Sequence, residues 1–279
     1  MSPKNSNRAA EEIAITEREL NAMTAELDML HKETFPGVQK TFADFRANLA
    51  HLRTSSQSTG RRSFLLGVGG VAVVGGVAAC SSSGGTTGTS SGPSTSPTSG
   101  PPTSSSTPAG SKYTGDLKVV ALAAALENLA VAAYGGAIQM AGQKKLGAVP
   151  PAVATFAATA MSQHKDHAAG WNSVLSKNNV PAITNTPLTI AKGEVAKLGQ
   201  AKNVIDVAKL ALSLENAAAA TYQFAVMNVT DPGGIVQAAT IQPVEAMHAA
   251  ILNFVLGQYP VPMNDIGITE AVQPSALTV

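Results

Sequence analysis

Cysteine, arginine and aromatic residues are scarce in this chain of 279 residues. The single cysteine, Cys80, rules out any disulfide within the chain, so nothing covalent staples the fold. All six arginines (Arg8, Arg18, Arg46, Arg53, Arg61, Arg62) fall in the first 62 residues. Beyond them lysine alone carries positive charge, and the formal net charge is only +1. No basic cluster survives in the later, apolar half, which excludes a nucleic-acid binder. Aromatics make up 4% of the chain. That shortage, beside abundant alanine, favours close-packed helices over sheets.

What is present is unevenly spread. In residues 1–60, Ile13, Leu20 and Leu27 recur at intervals of seven, with Met23 and Leu30 at the other seam position. Phe35-Pro36-Gly37 then breaks the pattern, and Val38, Phe42, Phe45, Leu49 and Leu52 continue an amphipathic stripe. The expectation is a short helical hairpin on the cytoplasmic side that docks a partner or self-associates. Otherwise translation starts downstream, at Met23 or Met29.

Residues 61–80 have the layout of an export signal. Paired arginines precede a glycine-rich apolar run from Phe64 to Ala79 that ends in small residues. The run is short for a membrane span, which needs about 20 apolar residues. Arg61-Arg62-Ser63-Phe64-Leu65 resembles a twin-arginine signal, and Val77-Ala78-Ala79-Cys80 resembles a bacterial lipobox. The resemblance implies passage through the twin-arginine translocase, cleavage before Cys80 and lipid attached to that residue. The other reading is an uncleaved anchor helix. Both put the rest of the chain in the cell envelope, on the outer face of the cytoplasmic membrane or secreted. Residues 81–111 are almost entirely Ser, Thr, Gly and Pro. Such a stretch buries no core and behaves as a disordered, flexible tether.

Residues 112–260 change texture again. Four long alanine-rich apolar segments span roughly 116–142, 150–178, 202–229 and 232–257. Pro150-Pro151 opens the second, Asp231-Pro232 offers an N-cap with proline at the first helical position, and Gly257 and Pro260 close the fourth. Pro243 should kink that last helix. The spacing predicts an all-α, up-down four-helix bundle, with a longer excursion between its second and third helices. Residues 261–279 read as an irregular tail.

The strongest pattern is an internal repeat. Leu126 to Tyr134 reads LENLAVAAY and Leu214 to Tyr222 reads LENAAAATY. The other two helices carry His164-Lys165-Asp166-His167 and Glu245-Ala246-Met247-His248. Two helical hairpins of similar design therefore pair into one pseudo-symmetric bundle. Residues three apart share a helix face, so His164 and His167 point together, as do Glu245 and His248. An unpaired carboxylate among alanine and leucine would cost several kcal/mol, so Glu127 and Glu215 need compensation. Six converging acids and imidazoles suit two divalent transition ions. Beyond Cys80 the chain has only three histidines, all in this set, and only five glutamates, three of them in it. The competing reading is a metal-free bundle with buried His–Glu ion pairs.

The order of these residues resembles the ferritin-like di-iron carboxylate proteins, in which two helices give one Glu each and two give Glu-x-x-His. The resemblance implies metal ligands at Glu127, His167, Glu215, Glu245 and His248, with Glu245 as the bridging carboxylate. Iron is the expected metal, manganese or zinc the alternatives. Tyr134 and Tyr222 would hydrogen-bond a ligand carboxylate or relay an electron; as simple core aromatics they would do neither. His164 stands where the family has glutamate, which removes one negative charge and leaves its own ligation open. Gln163 and Asp166 are expected to face solvent or a neighbouring helix. The function implied is oxidation of ferrous iron or reduction of peroxide. The rival is a non-enzymatic envelope bundle acting as an interaction or scaffold module. With no short fifth helix after residue 260, cage-forming iron storage is not expected.

Overall fold

A computed structural model describes residues 14–58, 112–261 and 266–279. The signal segment with Arg61, Arg62 and Cys80, and the 81–111 tether, lie outside the described residues. The described chain is helical: α1 (Glu17–Ser58), α2 (Asp116–Gly142), α3 (Pro151–Lys177), α4 (Ala191–Gln200), α5 (Val204–Asn228) and α6 (Pro232–Val255), with a 3-10 turn at Pro274–Ala276. Helices α2, α3, α5 and α6 form the up-down bundle, with α2 packed on α3, α5 on α6, and α2 on α5. The longer excursion contains the short α4.

Local signals set the helix ends. Proline stands at the first position of α3 and α6, where its missing N–H would go unused in any case. The Asp231 carboxylate caps α6 by accepting from the backbone N–H groups of Gly233 and Gly234. Asp116, at the start of α2, accepts from the Thr230 and Asp231 backbone, which ties that end of α2 to the α5–α6 turn. Helix α6 stops at Gly257, whose φ is +69°. Gly257 N–H bonds Phe254 C=O and Gln258 N–H bonds Asn253 C=O, so the last carbonyls are satisfied.

Helix α2 is buried nearly all round from Val119 to Ala125, as befits a central core helix. By length and composition it could cross a membrane. More than half of its most apolar window is covered by the other helices, and that cover accounts for its apolar character.

Helix α1 differs from expectation. It is one continuous helix of 42 residues with Pro36 inside it, not a hairpin broken at Phe35-Pro36-Gly37. Proline in a helix interior costs about 3 kcal/mol, but here apolar residues on both sides of it dock on one surface. Leu20, Leu27, Val38, Phe42 and Phe45 are all buried. The surface they cover lies along α3 and α6. Phe42 meets Trp171 of α3 edge-on, with ring centroids 4.9 Å apart. Ala14 N–H bonds Val255 C=O at the end of α6, and Phe45 lies against Gly233 and Gly234 at its start. Gly170 permits this closeness, because a Cβ there would come within 2.1 Å of the Phe42 ring. Helix α1 is thus a fifth layer, antiparallel to α6, and the tertiary gain outweighs the local break.

Candidate metal centre

Glu127 and Tyr134 lie two turns apart on α2, and Glu215 and Tyr222 repeat that spacing on α5. Because α2 and α5 pack against each other, each glutamate meets the tyrosine of the opposite helix. Tyr134 donates to Glu215 at 2.5 Å, and Tyr222 donates to Glu127. Helices α3 and α6 bring His164, His167, Glu245 and His248 to the same interior point. Each of the six is at most 2% exposed.

The six side chains form two overlapping quartets. One is Glu127, His164, His167 and Glu245; the other is His164, Glu215, Glu245 and His248, with the potential ligand atoms of each within 4.8 Å of one another. Glu245 and His164 belong to both. His167 Nδ1 lies 3.2 Å from Glu245 and 3.5 Å from Glu127. His248 Nδ1 lies 3.4 Å from Glu215 and 3.5 Å from Glu245. His164 sits at the centre, with Nδ1 2.8 Å from Glu127 and Nε2 3.2 Å from Glu215. Both its ring nitrogens face carboxylates, which only accept, so in this arrangement both donate and the ring is an imidazolium.

The electrostatics agree with that assignment. Burial alone would lower the His164 pKa, but Glu245, Glu215 and Glu127 outweigh it and raise it well above its ordinary value. Burial likewise opposes His167, and Glu127 with Glu245 raises it to about 9. His248 is raised by Glu215 and Glu245 against the same burial penalty. Burial would raise Glu127, yet His167 and His164 bring it down to about 2, and Glu215 falls well below its usual value beside His164 and His248. Three carboxyl side chains thus face three imidazoles at one buried point.

That internal pairing leaves atoms over. Buried, with no hydrogen-bond partner among the described residues, are His167 Nδ1, His248 Nδ1, Glu215 Oε2 and both carboxylate oxygens of Glu245. They approach their neighbours at 3.2–3.5 Å but are not aligned for hydrogen bonds. Buried polar atoms of native proteins are almost always satisfied. These five point into the two quartets, and a mixed oxygen and nitrogen donor set fits transition dications. The residues present therefore fit a metal pair.

A surrounding layer orients the cluster. His248 Nε2 donates to the Gln163 amide oxygen at 2.9 Å, which leaves Nδ1 facing the carboxylates, a common arrangement for a metal-binding histidine. Gln163 is 1% exposed, so of its two expected places, solvent or a neighbouring helix, it takes the second, against α6. Trp171 donates from Nε1 to the Tyr222 hydroxyl at 2.8 Å, extending the chain that ends on Glu127. From α1, His31 bonds the half-exposed Asp166 at 3.3 Å. The His31 ring lies 5.4 Å from that of His167, and Phe35 stacks on His31 at 4.8 Å while its own ring lies 6.3 Å from His167.

Trp171 and His31 were not legible as parts of the site from the sequence, and Gln163 was legible only as a residue facing outward or a neighbour. Trp171 repeats a legible interval, standing seven residues after His164 as each tyrosine stands after its glutamate. For His31 the stripe on α1 was legible, but not the surface it covers.

An all-helical bundle with buried carboxylates and imidazoles at its centre is the architecture of a helical metal-binding domain. The chain belongs to the ferritin-like domain family, whose profile matches residues 115–258, just over half of the sequence. No curated protein and no solved structure matches the chain.

Proposed function

We propose that this is an exported, lipid-anchored ferritin-like protein whose bundle holds two divalent transition ions, iron foremost and manganese or zinc as rivals, and that it oxidises ferrous iron or reduces peroxide. The observation that supports this reading is the set of five orphaned ligand atoms on His167, His248, Glu215 and Glu245. Iron or manganese bound there supplies one-electron redox changes that no side chain of the cluster can provide.

The chain's own residues do the rest. Glu127, His167 and Glu245 would hold one ion and Glu215, His248 and Glu245 the other, with His164 within reach of both groups. Tyr134 and Tyr222 keep their protons, because burial and the facing glutamates raise both pKa values well above the usual phenol value. Each hydroxyl thus remains a donor that fixes the carboxylate opposite. Gln163 fixes the edge of His248 that faces inward. In the uncleaved chain His31 and Phe35 of α1 lie over His167, and cleavage before Cys80 would remove that cover.

The test is metal content in protein purified without added metal, followed by titration with ferrous iron. About two ions per chain, with uptake of iron and consumption of peroxide or oxygen, is the expected result. Less than one ion, with no uptake on titration, overturns it. Export is tested by Arg61→Lys with Arg62→Lys, which should hold the chain in the cytoplasm. Cys80→Ser should release it from the membrane fraction.

One observation favours a second reading. His164, bonded to both Glu127 and Glu215, partly neutralises the core without metal, as a purely structural envelope bundle would need. The two readings separate on chelator. A metal-loaded centre makes the melting temperature chelator-sensitive, and Glu127→Ala with Glu215→Ala removes that sensitivity, whereas a structural bundle is indifferent throughout.

A further inference from the structure

Beyond the metal centre, the bundle interior is not filled. A cavity of about 310 Å³ runs from Tyr134 towards the α2–α3 turn. Its walls include Ala137 and Ala141 of α2, Phe156 of α3, and Ala208 of α5, and virtually all of the lining is apolar. Small residues on facing helices create the space, since alanine opposite alanine leaves the distance between helices unspanned. On α2 the lining extends from Tyr134 to Gly142, about 12 Å along the helix axis by the standard rise.

The two ends of this cavity differ. The inner end is closed by Tyr134 and Phe156. Phe156 meets the rings of Tyr134 and His248 edge-on, each at 6.3 Å between centroids, so an aromatic wall separates the cavity from the cluster. At the outer end the lining residues Gly142 and Leu146 flank a turn that carries Lys144 and Lys145, both exposed. An apolar cavity whose lining ends beside an exposed pair of lysines is complementary to an amphiphile with an anionic head.

We propose that this cavity binds one free medium-chain fatty acid, its alkyl chain inside the bundle and its carboxylate at the Lys144–Lys145 turn. A 150 Å³ apolar cavity stays dry and takes up benzene, so twice that volume accommodates roughly ten to twelve carbons. A diacyl phospholipid, with two longer chains, exceeds that space. The terminal methyl lies against Tyr134 and Phe156, one residue layer from Glu215 and His248. This site is separate from the metal reading and does not depend on it.

The test uses the full chain stripped of metal with chelator, so that failure of the metal proposal leaves it intact. Saturated carboxylates of six to sixteen carbons are titrated by calorimetry. Affinity should rise about fourfold per added methylene, the factor that corresponds to roughly 0.8 kcal/mol per buried CH₂, and level off near ten to twelve carbons. Ala141→Trp and Ala208→Phe, which fill the cavity, should abolish decanoate binding while the helical circular dichroism and cooperative melting of the same proteins are retained. Lys144→Glu with Lys145→Glu, on the surface, should weaken decanoate severalfold and leave decanol unaffected. Affinity that ignores chain length, or decanoate binding that survives the charge reversal and both filled variants, overturns the proposal. So does capture by phosphatidylglycerol vesicles without any binding of the free acid.

Discussion

Tyr134 of α2 hands its hydroxyl hydrogen to Glu215 of α5 across the bundle axis at 2.5 Å. Tyr222 returns the arrangement by donating to Glu127. The two halves of the repeat are therefore not parallel copies working separately, because each supplies the group that orients the other's carboxylate. Removing one hydroxyl leaves a buried acid short of a donor. Tyr134→Phe and Tyr222→Phe should each destabilise the metal-free protein by about 1–3 kcal/mol. Each should also weaken metal binding roughly 10- to 100-fold. Thermal melts with chelator and metal titrations check the two effects separately.

The histidines set opposite pH slopes for the metal-free and loaded protein. His167 is raised to about 9 in the fold from an ordinary 6.5, so its contribution to metal-free stability is complete below pH 6.5 and lost as pH rises through 9. Glu127 is held at about 2 against an ordinary 4.5. Its contribution is complete above 4.5 and lost as pH falls towards 2. Metal-free protein should therefore be most stable between about pH 4.5 and 6.5. Ligation requires deprotonated imidazoles, so metal affinity should climb over pH 6.5–9 with release of protons. Melting temperature against pH, with and without metal, distinguishes these trends, and parallel curves would contradict them.

His164 is the position where this chain departs from the carboxylate pattern, and its replacement is informative in both directions. His164→Glu restores a fourth acid to the cradle. Binding of hard dications such as Mn²⁺ should strengthen, while the metal-free protein, having lost its central imidazolium, should melt lower. Calorimetric titration of Mn²⁺ and melts in chelator measure the two outcomes. A variant that is both weaker in binding and unchanged in metal-free stability would show that His164 is peripheral to the centre.

Helix α1 covers the only tryptophan of the chain. Trp171 is 2% exposed, with Phe42 of α1 against it. Phe42→Ala should cost about 3–5 kcal/mol. Protein consisting of residues 80–279, as cleavage before Cys80 would leave it, should show red-shifted and more quenchable tryptophan emission than the full chain. Unchanged emission would mean that the groove between α3 and α6 closes without α1.

Much of this was legible before any coordinates. The four bundle helices fall within a few residues of where apolar periodicity, Pro151, Asp231-Pro232 and Gly257 put them, because those signals act through bonds within one or two turns. The convergence of Glu127, Glu215, Glu245 and the three histidines was legible too, since a three- or seven-residue spacing defines a helix face and burial of unpaired acids demands a common partner. The continuity of α1 through Pro36 was not. The cost of proline is local and visible, whereas the compensating contacts to Gly170, Trp171 and Gly233 lie more than a hundred residues away.

By itself, then, the sequence determined the helices, the face each one presents and the chemical kinds gathered at the centre, because each depends on spacing along a single segment. Only the tertiary structure decided that the tyrosines cross over to the opposite glutamates, that His164 is central and shared by both quartets, and that Gln163 turns inward to His248. These depend on the offset and rotation of one helix against another. Packing over the whole core sets those quantities, and no local pattern encodes them.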